Sequence, residues 1–431
     1  MKEITKKTSY LLQSINSGKL FDDPGWMLEA PGETTPGLVR AIYEHKQLRV
    51  MDDGYGLYKY ADWLPVRRFL KGSFAPVTYK SQGLASELGL KNLYITFSGY
   101  WPEKGAMMRT CSFKETEAYS VCARLDETQR KVLVVASAGN TARSFARVCS
   151  DNGIPLLLCV PEDCLDALWF DEPIGECVRL ICSGSGSDYY DAIHLSDIAK
   201  RHPRFLAEGG AKNVARRDGM GTTVLSAVEC IGRIPDVYFQ AVGSGTGAIA
   251  AWEANLRLIG DGRYGSHRMK LMVSQNVPFT PLYDAWRAGS RELFPVDGDV
   301  ARGQVAKILA KVLSNRKPPY SIVGGLYDAL VDSGGDVLLA TNEEALAAAR
   351  LFEETEGIDL HPAAAVATAS LMQAIKSKSV DSTSVIMLNI TGGGEERFKK
   401  ENTLYYLKPS LVFDTNPSEE EVLQGIGGMR F

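Results

Sequence analysis

Val132-Leu-Val-Val-Ala136 is a run of five apolar residues that leads directly into the polar turn Ser137-Ala-Gly-Asn-Thr141. Residues 141–152 then have the composition of a helix, and Leu156-Leu-Leu-Cys-Val160 is a second apolar run. A short apolar run, a turn, a helix and another apolar run are typical of a βαβ unit. The segment therefore predicts two parallel strands joined by a helix.

The same alternation extends along the chain from Ser73 to Gly394. Further strands are predicted at 177–182, 236–242, 271–274, 337–340 and 384–389, and further helices at 188–200, 213–231, 248–259, 343–354 and 362–376. This order indicates an α/β protein with a parallel sheet and helices on both of its faces. Residues 1–72 are richer in Gly, Pro and aromatic residues, and we expect them to form an extension packed on this core.

Composition excludes several classes of protein. The 431 residues are 45% hydrophobic and 23% charged, with a net charge of −4, which gives no reason to expect a nucleic-acid partner. Eight cysteines form no CxxC pair, so we expect reduced, buried thiols, and the five histidines have no metal-ligand spacing, so we expect no metal site. No signal peptide or membrane span is predicted, which favours a cytoplasmic enzyme.

Lys114 is a candidate for a reactive amine. It follows Ser112-Phe113 and precedes Glu115-Thr-Glu-Ala118, so we expect it at the start of a helix. The helix dipole disfavours a cation at that end, which helps the amine to lose its proton and to form a Schiff base. An exposed lysine at a helix start is the alternative that this segment alone leaves open.

The turn after the first strand is a second candidate. Ser137, Asn140 and Thr141 are suited to gripping a carboxylate and orienting a ring hydroxyl, because they combine hydrogen-bonding side chains with a helix N-terminus. The same residue types are also good helix caps, so a purely structural interpretation stays open.

Two later segments are also candidates for ligand binding. Gly243-Ser244-Gly245-Thr246-Gly247 lies between a predicted strand and a predicted helix, and this favours a phosphate-binding loop over a simple tight turn. Thr391 follows the strand that ends at Ile390 and precedes three glycines. Its hydroxyl is able to bond a pyridine nitrogen, although a strand-end threonine before a turn is an equally good interpretation.

Together and in this order, the four segments resemble the fold-type II pyridoxal-phosphate enzymes, the tryptophan-synthase β-like group, over about residues 50–400. Gly56-Leu-Tyr-Lys-Tyr60, Phe279-Thr-Pro-Leu282 and His361-Pro-Ala-Ala-Ala-Val366 are similar to threonine synthases. Those enzymes typically continue the lysine motif as Lys-Asp-Arg-Gly, whereas here it reads Lys114-Glu-Thr-Glu117. The whole pattern resembles the cysteate synthase family.

This resemblance implies two three-layer αβα domains with parallel-rich sheets. Residues 73–113 and 191–431 would form the large cofactor-binding domain, with 1–72 packed on it, and 114–190 the small domain. By the same resemblance, Lys114 would bind pyridoxal phosphate as a Schiff base. Asn140 would bond the ring oxygen of the cofactor, the loop Gly243–Gly247 its phosphate, and Thr391 its ring nitrogen.

The implied reaction is a β-replacement that converts O-phospho-L-serine and sulfite into L-cysteate and phosphate, a step of coenzyme M biosynthesis, in a homo-oligomer. Ser137 and Thr141 are the candidates for the substrate carboxylate. Both substrates are anions, so Lys104, Arg109 and Arg143, which flank the motifs, are candidates for binding them. Two alternatives stay open: a threonine synthase acting on O-phosphohomoserine, and a non-catalytic nucleotide-binding α/β protein that uses the Gly243 loop.

Overall fold

The computed structural model describes residues 7–51, 56–126, 128 and 131–431. The strands, in chain order, are β1 (Tyr10–Ser14), β2 (Leu20–Phe21), β3 (Val39–Tyr43), β4 (Val77–Lys80), β5 (Leu93–Phe97), β6 (Tyr100–Trp101), β7 (Ala106–Met107), β8 (Val132–Ala136), β9 (Leu156–Pro161), β10 (Trp169–Phe170), β11 (Val178–Ser183), β12 (Phe205–Ala207), β13 (Val237–Ala241), β14 (Lys270–Asn276), β15 (Asp336–Ala340), β16 (Ile386–Ile390), β17 (Tyr405–Tyr406) and β18 (Leu411–Phe413). The helices are α1 (Gly83–Glu87), α2 (Lys114–Arg124), α3 (Asn140–Asp151), α4 (Tyr189–Ala199), α5 (Val214–Ile231), α6 (Thr246–Asp261), α7 (Pro281–Arg287), α8 (Gly298–Val305), α9 (Leu326–Ser333), α10 (Asn342–Glu356), α11 (Pro362–Lys376), α12 (Glu395–Glu401) and α13 (Glu419–Gly427).

The larger sheet has the strand order β15-β14-β13-β16-β5-β4. All neighbours are parallel except β4, which runs antiparallel to β5 at the edge. Every residue of β13 and β16 is buried, as expected for central strands covered on both faces. Residues of α5, α6 and α9 belong to the core on one face, and residues of α10 and α11 to the core on the other.

The smaller sheet is wholly parallel, with the order β12-β8-β9-β11-β18. Helices α2 and α3 cover one face, and α4 and α13 cover the other. The predicted α/β class with two layered, parallel-rich units is therefore confirmed. Three strands of this sheet lie within residues 114–190, the range expected for the small domain. Its two edge strands, β12 and β18, come from later parts of the chain, so the sheet extends beyond that range.

The N-terminal segment packs on both units. Strands β2-β1-β3 form a small antiparallel sheet whose Leu12 and Val39 join the core beneath the larger sheet. Leu57 and Leu64 instead pack into the core of the smaller unit. Residues 1–6 and 52–55 of the segment lie outside the described part of the chain.

The expectation that the cysteines are buried can be compared with the exposure of each thiol. Five cysteines are buried, but Cys164 and Cys177 are partly exposed and Cys230 is exposed on the surface of α5, so the expectation that all are buried is wrong for these three. All eight are free thiols. Among the described residues, no helix is both long and apolar enough to cross a membrane.

Candidate active site

A cleft opens where β8 of the smaller sheet and β13 and β16 of the larger sheet reach their carboxyl ends. Parallel strands that end at the same edge bring their following loops together, so ligands bind there in α/β proteins. The residues that line the cleft are Phe113, Lys114, Ser137–Thr141, Tyr189, Arg216, Gln240–Gly247, Val312–Asn315, Ala363 and Thr391. All predicted cofactor-binding residues are among them, as are Ser137 and Thr141.

Lys114 is the first residue of α2, as the sequence predicts. The preceding backbone is tied to the end of β16, because the Phe113 N–H donates to the carbonyl of Thr391 at 3.0 Å. This bond fixes Lys114 and Thr391 on neighbouring segments of one cleft. Burial lowers the pKa of the Lys114 amine, with nearby Arg216 acting in the same direction and Glu117 opposing it. The arrangement favours an amine that loses its proton readily.

Asn140 opens α3 at the end of the Ser137–Gly139 turn. Gly139 has a φ of 151°, a conformation that side chains rarely adopt. The Ser137 hydroxyl oxygen accepts a hydrogen bond from the Gly139 N–H at 3.0 Å, which leaves its own hydrogen free to donate to a ligand. The side chain of Asn140 is anchored by Arg143, because its Oδ1 accepts a hydrogen bond from Arg143 Nη2 at 3.0 Å. The amide group of Asn140 is therefore fixed in orientation.

The glycine loop links β13 to α6. Gly245 has a φ of 76°, and a Cβ built on it would lie 2.7 Å from Leu326 Cδ2, so only glycine fits without strain. The turn delivers the chain into a helix of 16 residues that begins at Thr246. The Ser244 and Thr246 hydroxyl oxygens lie 2.9 Å apart. Backbone N–H groups, two hydroxyls and the positive end of a helix dipole form a site suited to a phosphate group.

Three predicted substrate-binding cations do not line the cleft, and the expectation for them is corrected. Lys104 lies over the rings of Tyr79 and Trp101, at 4.5 and 5.5 Å from their centroids. The other two guanidinium groups are committed to protein partners. Their partners are Asp151, Asp171 and Glu172 for Arg109, and the Thr110 and Ala167 carbonyls and Asn140 for Arg143. Arg143 also pairs with Glu395, and of these partners Asn140 lines the cleft.

Arg216 is the cation that sequence reasoning missed. It lines the cleft from α5, where its guanidinium donates to both carboxylate oxygens of Glu208 at 2.8 and 2.5 Å. Its Nη1 also lies 3.3 Å from Glu117 Oε1. A signal was present, because Arg216-Arg217-Asp218 places three charges inside a helix whose surroundings are buried. Buried charges of this kind mark functional or structural networks.

The residues of the cleft fit pyridoxal phosphate. A partly buried lysine amine, a fixed amide and a phosphate-binding loop are the groups that an aldehyde, a ring oxygen and a phosphate ester need. Within the described part of the chain, no Asp or Glu lines the cleft, and Thr391 contributes a neutral hydroxyl to it. Residues 7–51, 56–126, 128 and 131–431 contain no group of three or more His, Cys, Asp or Glu side chains able to hold a metal ion.

Comparison with known proteins agrees with this geometry. Residues 80–392 match the family model described as pyridoxal-phosphate dependent enzyme. Cysteate synthase of Methanosarcina mazei is 49% identical over 88% of this chain and 91% of its own length. The cysteate synthase of Methanocella paludicola is 50% identical over 88% and 89%, and that of Methanoculleus marisnigri is 46% identical over 94% and 93%.

Solved structures share the fold at low sequence identity. Maize serine racemase has a TM-score of 0.55 and 15% identity, covering 74% of this chain and 88% of its own. The T.th. threonine deaminase has a TM-score of 0.52 and 17% identity, covering 74% and 91%. The fold-type II architecture predicted from the sequence is confirmed. The chain belongs to the pyridoxal-phosphate dependent enzymes and, among them, to the cysteate synthase family.

Proposed function

We propose that this enzyme converts O-phospho-L-serine and sulfite into L-cysteate and phosphate. The C–O bond to the phosphate group breaks, a C–S bond to the sulfite sulfur forms with the sulfur lone pair, and no electron is gained or lost overall. The α-proton leaves the substrate and is later returned. The observation that carries the proposal is the meeting of the partly buried Lys114 amine and the Gly243–Gly247 loop in one cleft of a cysteate synthase relative.

The cofactor would be held by Lys114, Asn140, the glycine loop and Thr391. When bound, pyridoxal phosphate supplies an electron sink that stabilises negative charge at the α-carbon of an amino acid. A hydroxyl rather than a carboxylate near the ring nitrogen keeps that sink weak, which favours prompt loss of a β-leaving group.

Lys114 Nζ is the atom that we assign to proton transfer. Its pKa is lowered mainly by burial, which makes the amine easier to deprotonate and so favours its use as a base. Glu117 Oε2 lies 3.3 Å from Nζ and accepts a hydrogen bond from it. A carboxylate at this distance stabilises the ammonium form after Nζ has taken the α-proton, and so holds the proton until it is returned.

We assign substrate orientation to Ser137, in the turn before α3, and to Thr141, in the first turn of that helix. Ser137 has a free hydroxyl hydrogen, and Thr141 lies in the first turn of the helix, where the dipole favours an anion. These features support our assignment of Ser137 and Thr141 to the α-carboxylate. Holding the carboxylate there would fix the direction of the Cα–H bond relative to Lys114 Nζ.

The proposal is tested by supplying the cofactor-loaded protein with phosphoserine and sulfite, and measuring cysteate and released phosphate. O-Phosphohomoserine in a parallel reaction tests for threonine formation. We expect stoichiometric cysteate and phosphate from the first mixture and no threonine from the second. A protein that shows the visible absorbance of a bound cofactor but forms no cysteate would refute the proposed function.

A further inference from the structure

A second cavity of about 720 Å³ lies beside the cofactor cleft. It is bounded by residues 26–29 of the N-terminal segment, by α4 and by the loop after β12. Tyr189 and Arg216 line both this cavity and the cleft. These two side chains therefore form a wall between the two spaces.

Arg216 places a positive charge on that wall within reach of the reactive amine. Its contact with Glu208 is short and bidentate, whereas its contacts with Glu117 are 3.3 Å and longer. Glu117 Oε1 is buried and has no hydrogen-bond partner among the described residues. One face of the guanidinium is therefore loosely held, and arginine is well suited to binding oxyanions with two parallel N–H groups.

The cavity carries further cations at its edge. Lys200 and Lys212 both line it, and each is paired with an exposed or half-exposed carboxylate that lines it too, Asp197 and Glu29 respectively, while Glu208 lines it as the partner of Arg216. Such surface pairs exchange readily with dissolved anions because each contributes little to stability. An oxyanion moving inward would pass from these lysines to Arg216.

We propose that this cavity, defined by residues 26–29, α4 and the loop after β12, admits and holds the inorganic oxyanion that attacks the substrate. The inference rests on the proposed function. The amino acid stays in the cleft after its phosphate group has left, so a nucleophile entering by the same route would have to pass it. A separate entrance leads the oxyanion to the wall formed by Tyr189 and Arg216 without displacing the bound amino acid.

The first test narrows the cavity with Ser196→Trp, a change on α4 at a residue that lines the cavity but not the cleft. The matched control is His194→Trp on the exposed face of the same helix. We expect the KM for sulfite to rise about tenfold in Ser196→Trp, with the KM for phosphoserine changed less than about twofold. The change in visible absorbance on adding phosphoserine should be retained, and calorimetric binding of sulfate to the cofactor-loaded protein should be lost.

A second variant covers the case in which Ser196→Trp does not fold. Lys212→Glu reverses a charge at the edge of the cavity, and Lys19→Glu is the control on a distant exposed lysine. We expect the sulfite KM to rise about threefold or more at low salt in Lys212→Glu, with the effect shrinking as salt is added.

The outcomes separate the two proposals. If the wild-type enzyme makes cysteate while folded cavity variants match their controls, or raise both KM values equally, the second entrance is refuted and the proposed function stands. If the wild-type enzyme makes no cysteate, the proposed function fails first.

Discussion

Lys114 Nζ and Glu117 Oε2 lie 3.3 Å apart on the first turn of α2. The side chain of Glu117 is fully buried, while that of Lys114 retains 20% exposure toward the cleft. The pair therefore joins a solvent-reachable amine to a carboxylate that water does not reach. Glu117 lies where threonine synthases typically have glycine, so the departure in the lysine motif corresponds to an added charge beside the amine.

The first prediction concerns Glu117→Gln. Burial and Arg216 lower the pKa of Lys114 while Glu117 raises it, so removal of the carboxylate lowers that pKa further. We expect the pH profile for binding pyridoxal phosphate to the cofactor-free protein to move about one pH unit lower. Visible absorbance measured across pH checks this.

The matched control is Glu115→Gln on the same helix. Glu115 is equally buried, but its carboxylate accepts from the Thr110 N–H, and burial raises its pKa to about 7. The Glu115→Gln variant should therefore show the same pH profile of cofactor binding as the wild type. A purely structural role for Glu117 would lower the melting temperature without moving the profile, and that result would contradict the assignment.

The second prediction concerns Arg143→Lys. The Arg143 guanidinium donates to four acceptors, the carbonyls of Thr110 and Ala167, Asn140 Oδ1 and Glu395 Oε2, and a lysine cannot reproduce this fan of hydrogen bonds. We expect a loss of about 2–4 kcal/mol in the free energy of unfolding, because buried acceptors lose their partners. The affinity for pyridoxal phosphate should fall about tenfold, since Asn140 is no longer held.

Arg147→Lys is the control for Arg143→Lys. Arg147 lies one turn further along α3, is also buried and pairs with Asp151 away from the cleft. The Arg147→Lys variant should have a lower free energy of unfolding in denaturant titrations, while its affinity for the cofactor stays unchanged. Equal effects of the two variants on cofactor affinity would show that Arg143 has no specific role in positioning Asn140.

The third prediction concerns Gly245→Ala. The added Cβ meets Leu326 in a backbone conformation that alanine avoids, so the loop must shift away from its phosphate-binding shape. Gly289→Ala is the control, because Gly289 has a similar φ of 67° with nothing within 4 Å of the added atom. We expect Gly245→Ala to lose about 1–3 kcal/mol more than the control in urea unfolding, and to bind the cofactor more weakly. Equal behaviour of the two variants would argue against a crowded loop.

The cleft residues that were predicted from the sequence share one property. Each can be recognised from its position between two secondary-structure elements. Lys114, Asn140 and Thr391 each stand at the junction of a strand or turn with the next element, and the glycine loop joins β13 to α6. A strand end can be recognised from a few neighbouring residues, and the parallel arrangement then brings such ends together. For this reason the α/β fold could be predicted, and so could the part of the cleft lining that stands at these junctions.

The cations were not predictable in the same way. Arg109 is paired with Asp171, which lies 62 residues away, and this pairing cannot be read from the local sequence. Arg216 enters the cleft because α5 packs beside α2, which again depends on contacts between distant segments. The sequence supplies the charges, but only the packed structure decides which of them are neutralised by protein partners and which face the ligand.

His361 provides the last prediction. Burial lowers its pKa to about 4, so the ring is neutral at pH 7. Both ring nitrogens face N–H groups: Nδ1 accepts from the Ala363 N–H at 3.2 Å, and Nε2 lies 3.2 Å from Asn140 Nδ2. A ring protonated at both nitrogens would be opposed by a donor on each side, which agrees with the direction of the shift.

The sign of the pH dependence follows from this depressed pKa. In the unfolded chain a histidine binds a proton near pH 6.5, whereas folded His361 does not until about pH 4. The stabilisation is therefore complete above pH 6.5 and is lost as the pH falls from 6.5 toward 4. His361→Asn keeps a side chain that caps α11 but removes the titration. We expect the free energy of unfolding in urea, measured on the cofactor-loaded protein between pH 7.5 and 4.5, to fall by about 1–3 kcal/mol less in His361→Asn than in the wild type. Parallel curves for the two proteins would mean that His361 takes up its proton in the folded state as easily as in the unfolded chain.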